Sequence, residues 1–145
     1  MRIAELKRTE FLEVVGSIRY RNQDIKEAME FGCKDIADCY EKMKKEWARY
    51  FVAYEGENPV LTVALQRDGH IIFFISDSIQ HPIRLTKAMR RFAKKMTKNC
   101  GPIITKTASW YEEANRFNKL VGFSLWKVFN RYALWVYPPI DRSLK

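Results

Sequence analysis

Hydrophobic positions recur at two different periods along this chain, and the switches between them mark its elements. Arg2 to Leu6 reads as a short strand. Phe11, Val14, Val15 and Ile18 then fall at i, i+3, i+4 and i+7, which predicts a helix beginning at Glu10 with Thr9 as its cap. A second helical stretch starts at Asn22 or Asp24 and ends near Gly32. A third, from Asp35 to Trp47, puts Ile36, Cys39, Tyr40, Met43 and Trp47 on one side.

After Trp47 the period shortens. Arg49–Tyr54, Val60–Gln66 and His70–Ser76 read as three strands, separated by turn chemistry at Glu55–Pro59 and Arg67–Gly69. The run from Ile71 to Ile75 is apolar on both faces, as a strand in the middle of a sheet is. A helix follows from about Ile83 to Lys98, with Leu85, Ala88, Met89, Phe92 and Met96 on its apolar face. Gly101-Pro102 stops it. Ile103–Thr107 is a strand, and Trp110–Leu120 is a helix closed by Gly122. Ser124–Phe129 and Tyr132–Tyr137 form a last hairpin, which Pro138-Pro139 ends. This order predicts an α/β fold. A mixed central sheet would combine an antiparallel meander with a right-handed parallel crossover, with helices on both faces.

Composition narrows the class. A chain of 145 residues, 47% hydrophobic and 14% aromatic, is globular rather than disordered, and we read residues 1–145 as one domain. No apolar run approaches the ~20 residues that span a bilayer. Glu5 interrupts the only stretch that could begin a signal peptide. The three cysteines, Cys33, Cys39 and Cys100, have no metal-ligand spacing, and a reducing cytoplasm is their simplest setting. The spacings of Ser, His, Asp and Cys match no nucleophilic triad and no metal site.

Charge changes the picture more. The net charge is +9, but residues 1–57 carry −1 and residues 58–145 carry +10. Seven cations and no acid lie between Arg84 and Lys98. That imbalance predicts an anionic partner for the second part: a phosphate cofactor, a nucleic acid or an acidic protein surface. No nucleic-acid recognition motif accompanies it.

The segment Ala114-Asn115-Arg116-Phe117-Asn118-Lys119-Leu120-Val121-Gly122-Phe123 resembles the N-x-x-A-x-x-F-Y-x-x-x-G-F segment of the GNAT superfamily of N-acetyltransferases. Ala114, Phe117, Gly122 and Phe123 fit it, and the element order resembles that fold along nearly the whole chain. A narrower stretch, Arg84 to Phe92, is similar to GNAT-like proteins encoded by tailed bacteriophages. That second likeness implies a phage origin and a host or virion protein as partner.

The GNAT resemblance implies acetyl-CoA as cofactor and an amine, on a small molecule or a protein, as acceptor. The family's pyrophosphate loop, Q/R-x-x-G-x-G/A, falls on Ile79 to Met89, which contains no glycine. Reading it from Arg84 puts Lys87 and Met89 at the glycine places, and reading it from Ile83 puts Thr86 and Ala88 there. The resemblance therefore implies cofactor contacts from Ile79, Arg84, Thr86, Lys87, Ala88 and Asn118, with side-chain cations replacing backbone amides. Backbone groups near Ile75 to Ile79 would orient the thioester. Asn118 stands where the family's acid tyrosine is, and Tyr111 where its asparagine is. An amide cannot release a proton at neutral pH, so Tyr111 is the candidate acid and otherwise a structural tyrosine. Asp77, expected at the buried end of the central strand with a raised pKa, is the candidate base and otherwise a turn aspartate. His70 and His81 read as surface or loop residues. Three outcomes stay open at this level: an active N-acetyltransferase, a GNAT-like protein that binds a host protein, a virion component or a nucleic acid through its basic helix without chemistry, or a nucleic-acid-binding module supported by charge alone.

Overall fold

The computed structural model describes residues 1–43 and 48–139, so Trp47 and the end of the predicted third helix lie outside the described residues. The strands are β1 (Arg2–Leu6), β2 (Ala48–Glu55), β3 (Asn58–Gln66), β4 (Ile71–Ile75), β5 (Ile103–Ala108), β6 (Ser124–Phe129) and β7 (Tyr132–Tyr137). The helices are α1 (Arg8–Ser17), α2 (Asn22–Glu30), α3 (Ile36–Glu41), α4 (Pro82–Cys100) and α5 (Glu112–Val121). One cap differs from expectation: α1 begins after Lys7 with no side-chain cap, not after Thr9, while Asp35 caps α3 through the Asp38 amide.

The three-strand meander β2-β3-β4 forms as predicted, and β1 joins beside β2 to give the order β1-β2-β3-β4, every pair antiparallel. The remaining strands pair as β5-β7-β6. The two sheets meet in parallel only at the start of β4, where the Ile104 amide donates to the Gly69 carbonyl over 2.9 Å. Beyond that bond the strands splay, so the crossover through α4 delivers β5 beside β4 and leaves a split between them.

Side-chain alternation on the strands fills both faces. Odd-numbered positions such as Val63, Ile71 and Ile75 pack with Leu85, Met89 and Phe92 of α4. Even-numbered positions such as Ala64 and Phe74 pack with Phe11, Tyr40 and Ala28 from α1, α3 and α2. A strand buried on both faces explains the unbroken apolar run in β4. The exposed side of α4 carries the cations, and none of its seven is ion-paired among the described residues.

Candidate functional site

Backbone parity decides what the split offers. The Gln66 amide donates to His70 and the Ser76 amide to Val60. In an antiparallel ladder the groups facing one neighbour alternate. Ile71, Phe73 and Ile75 therefore turn their N–H and C=O groups toward β5. On β5, Ile104 bonds to Gly69 and Ala108 to α2, so Lys106 faces β4 by the same alternation. Between Phe73 and Lys106 the two edges are parted.

A cavity of about 270 Å³ runs along this split. Phe73 and Phe74 line it from β4, Thr105 and Thr107 from β5, Ala114 from α5 and Glu27 from α2. The helix α2 reaches across the splayed ends. Asp24 accepts the Ile75 amide (2.6 Å), and Glu27 accepts the Ala108 amide (2.9 Å). Two acids three residues apart thus grip both strands from one helical face.

The two carboxylates differ in what they have left to offer. Asp24 holds three donors, one of them a cation: Oδ2 takes Ile75, while Oδ1 takes Arg21 and the Tyr111 hydroxyl. Glu27 Oε2 takes Ala108, and Oε1 has no hydrogen-bond partner among the described residues. Only 6% of Glu27 is exposed. Burial pushes its carboxyl up to about 7, with Asp24 and Glu30 adding to the rise and the Ala108 amide and Arg21 opposing it. The fold therefore holds this proton more tightly than the unfolded chain does. This carboxyl's contribution to stability is fully present below about 4.5 and is lost as pH climbs to about 7, roughly 3 kcal/mol across that window.

The sequence-predicted residues divide. Tyr111 is buried at this end of the split, stacked on Trp110, but its hydroxyl donates to Asp24 rather than facing the cavity. Burial and the Asp24 charge push its pKa well above the ordinary phenol value. Asp77 was expected to be buried; its side chain is 36% exposed and pairs with Arg19 at 2.9 Å, because the chain leaves the sheet there. The backbone at Ile75 was expected to be open, yet its amide serves Asp24 and its carbonyl accepts from Arg21. The free edge lies two residues earlier, at Phe73.

The loop needs a similar correction. Because α4 begins at Pro82, Thr86, Lys87 and Ala88 are inside the helical ladder and have no loose amides to present. Thr86 returns its hydroxyl to Pro82, and Ala88 is buried against the side of β1 and β2. Arg84 and Lys87 are exposed, and Ile79 packs partly into the core. Ahead of the first helical bond, at Leu85, lie the Ile83 and Arg84 amides and, outside the helix, the pair at Gln80 and His81. That pair already holds an anion: Glu55 at the end of β2 accepts from Gln80 at 3.0 and 3.2 Å and from His81 at 2.7 Å. Arg84 stands beside that contact.

Asn118 lies one helical turn beyond Ala114, on the same face of α5. It is fully buried, and neither its amide nitrogen nor its oxygen has a partner among the described residues. Buried amides are normally paired. Nearby, Asn115 is satisfied by Thr107, Ala108 and Trp135, so the orphan amide is peculiar to Asn118.

Glu27 escaped the sequence reading although a signal existed. Asp24, Glu27, Ala28 and Phe31 follow the i, i+3, i+4, i+7 spacing of a buried face, and acids occupy two of its places.

The same architecture recurs among solved structures. The GNAT domain of S. lividans PAT is 11% identical, with a TM-score of 0.71 over 94% of this chain and 89% of that one. An aminoglycoside acetyltransferase in complex with coenzyme A is 15% identical, with a TM-score of 0.68 over 92% of each chain. A spermidine N-acetyltransferase from Vibrio cholerae, in complex with CoA and spermine, is 13% identical, with a TM-score of 0.66 over 93% of each. No protein-family model matches the sequence. No curated protein matches it either. The chain has the fold of GNAT N-acetyltransferases.

Proposed function

We propose that this protein is an acetyl-CoA-dependent N-acetyltransferase whose general base is Glu27. The observation that carries the reading is the buried Glu27 carboxylate, which lines the cavity in the β4–β5 split and has one oxygen without a partner among the described residues. Three features of the chain suit the cofactor. The Gln80 and His81 amides already converge on a carboxylate, so they form an anion seat that a diphosphate can take once Glu55 swings out. Phe73 presents a backbone edge to an amide-bearing arm. Arg84 and Lys87 supply cations near the seat.

When bound, acetyl-CoA supplies an acetyl group activated as a thioester. The protein's own part is to bind and deprotonate the acceptor. Glu27 takes a proton from the incoming ammonium, and its value near 7 lets it do so at neutral pH. The Ala108 amide fixes the Glu27 carboxylate. Asp24, held by Arg21 and Tyr111, keeps the Ile75 end of β4 at its distance from β5. In this reading Tyr111 positions Asp24, and Asp77 is an exposed loop residue outside the chemistry. Release of CoA thiol on adding primary amines tests the activity. The rate should rise with pH through about 7, and Asp77→Asn should leave it unchanged.

A second reading has one observation in its favour: the Glu55 carboxylate fills the loop's amides, as it would in a protein that binds without chemistry. The two readings separate on Glu55→Gln. An active enzyme should bind acetyl-CoA about tenfold more tightly after this change, because a competing charge leaves the seat while the cations stay. Calorimetry on both forms measures it.

A further inference from the structure

We infer that the acceptor is a monoamine with a compact apolar body, an alkyl- or arylalkylamine, rather than a polyamine or a multi-ring polycation. This rests on the acetyltransferase reading for its chemistry, but the binding pocket is argued separately.

Two carboxylates line the cavity, Asp24 and Glu27. Asp24 already carries three donors and is ion-paired with Arg21, so Glu27, whose Oε1 has no partner among the described residues, is the carboxylate left for an incoming cation. The rest of the wall is largely apolar, built from Phe31, Ile71, Phe73, Phe74 and the Cys33 and Cys39 thiols. A second ammonium buried here would find only Asp24, whose charge Arg21 already balances, and burying an unpaired charge is costly. Size points the same way. An apolar cavity of about 150 Å³ holds a benzene ring. The 270 Å³ here admits an aryl ring, a short chain and an amine, not several linked sugars.

The border adds repulsion. Lys106 also lines the cavity, and its ammonium is held over the rings of Phe31 and Tyr132, 4.7 Å from each centroid. A fixed cation there meets any second positive charge trailing from the bound amine. Such opposition discriminates among substrates that share the reacting group.

The test compares phenethylamine with spermidine, by direct calorimetric binding and by thiol release with acetyl-CoA. Phenethylamine should bind wild-type protein without cofactor, bind Glu27→Gln at least tenfold more weakly, and be acetylated with a kcat/KM about 100-fold above that of spermidine. Lys106→Glu should narrow that ratio, which a merely structural role for Lys106 would not do. Acetylation of spermidine in preference would overturn the substrate class and leave the acetyltransferase reading standing. Binding of phenethylamine that depends on Glu27, without turnover of either amine, would sink the acetyltransferase reading and uphold the pocket. Absence of phenethylamine binding would overturn the inference itself.

Discussion

Glu27→Gln is expected to lower acetyl transfer at pH 8 by about 10²- to 10³-fold, the usual scale for a lost general base. The substitution keeps the side-chain shape, and its carbonyl oxygen still accepts the Ala108 amide, so the α2 clamp survives. What disappears is the ability to take a proton. The pH profile separates this from a positional defect: wild-type activity should climb through about 7, and the variant's residual activity should not. Stability gives an independent sign. Glutamine stays neutral where the buried carboxylate must ionise, so the variant should be more stable than wild type at pH 8 and nearly equal to it at pH 5. A variant that lost activity because it unfolded would show the opposite stability change.

Gly69→Ala should cost about 3 kcal/mol, or roughly 6–12 °C in Tm. Gly69 has φ +94°, where side chains are strained, and an added Cβ would lie 2.6 Å from the Pro102 carbonyl oxygen. Neither partner can move freely, because the Gly69 carbonyl holds the Ile104 amide and thereby joins the two sheets. The substitution should therefore loosen the apex of the split as well as the fold. Thermal unfolding gives the first effect. Faster amide exchange at Ile104 gives the second. A control at Gly56, where a Cβ meets no atom within 4 Å, should cost less.

Much of this architecture was legible because β4 and α4 state their surroundings directly. Five apolar residues in a row can only be a strand covered on both faces, and the cation-free stripe of α4 can only be its buried side. The Ala114, Phe117, Gly122 and Phe123 spacing was legible for the same reason: it is a packing pattern, and packing is periodic. The site was less legible because it depends on contacts between distant elements. Nothing near Ile75 announces that Asp24, fifty-one residues earlier, takes its amide. Glu55 is likewise remote from the loop it caps, and the loop's register depended on whether the helix began at Pro82 or beyond it. Asp77 looked buried because the strand before it is. One residue of loop was enough to bring it out beside Arg19. The two acids on the inner face of α2 were the one feature of the site written locally, as polar residues in apolar places.

The most direct test is a calorimetric titration of wild-type protein with acetyl-CoA. One-to-one binding in the micromolar range, strengthened when Glu55 is neutralised, is the predicted result. Absence of heat at millimolar cofactor, in wild type and Glu55→Gln alike, would contradict the account.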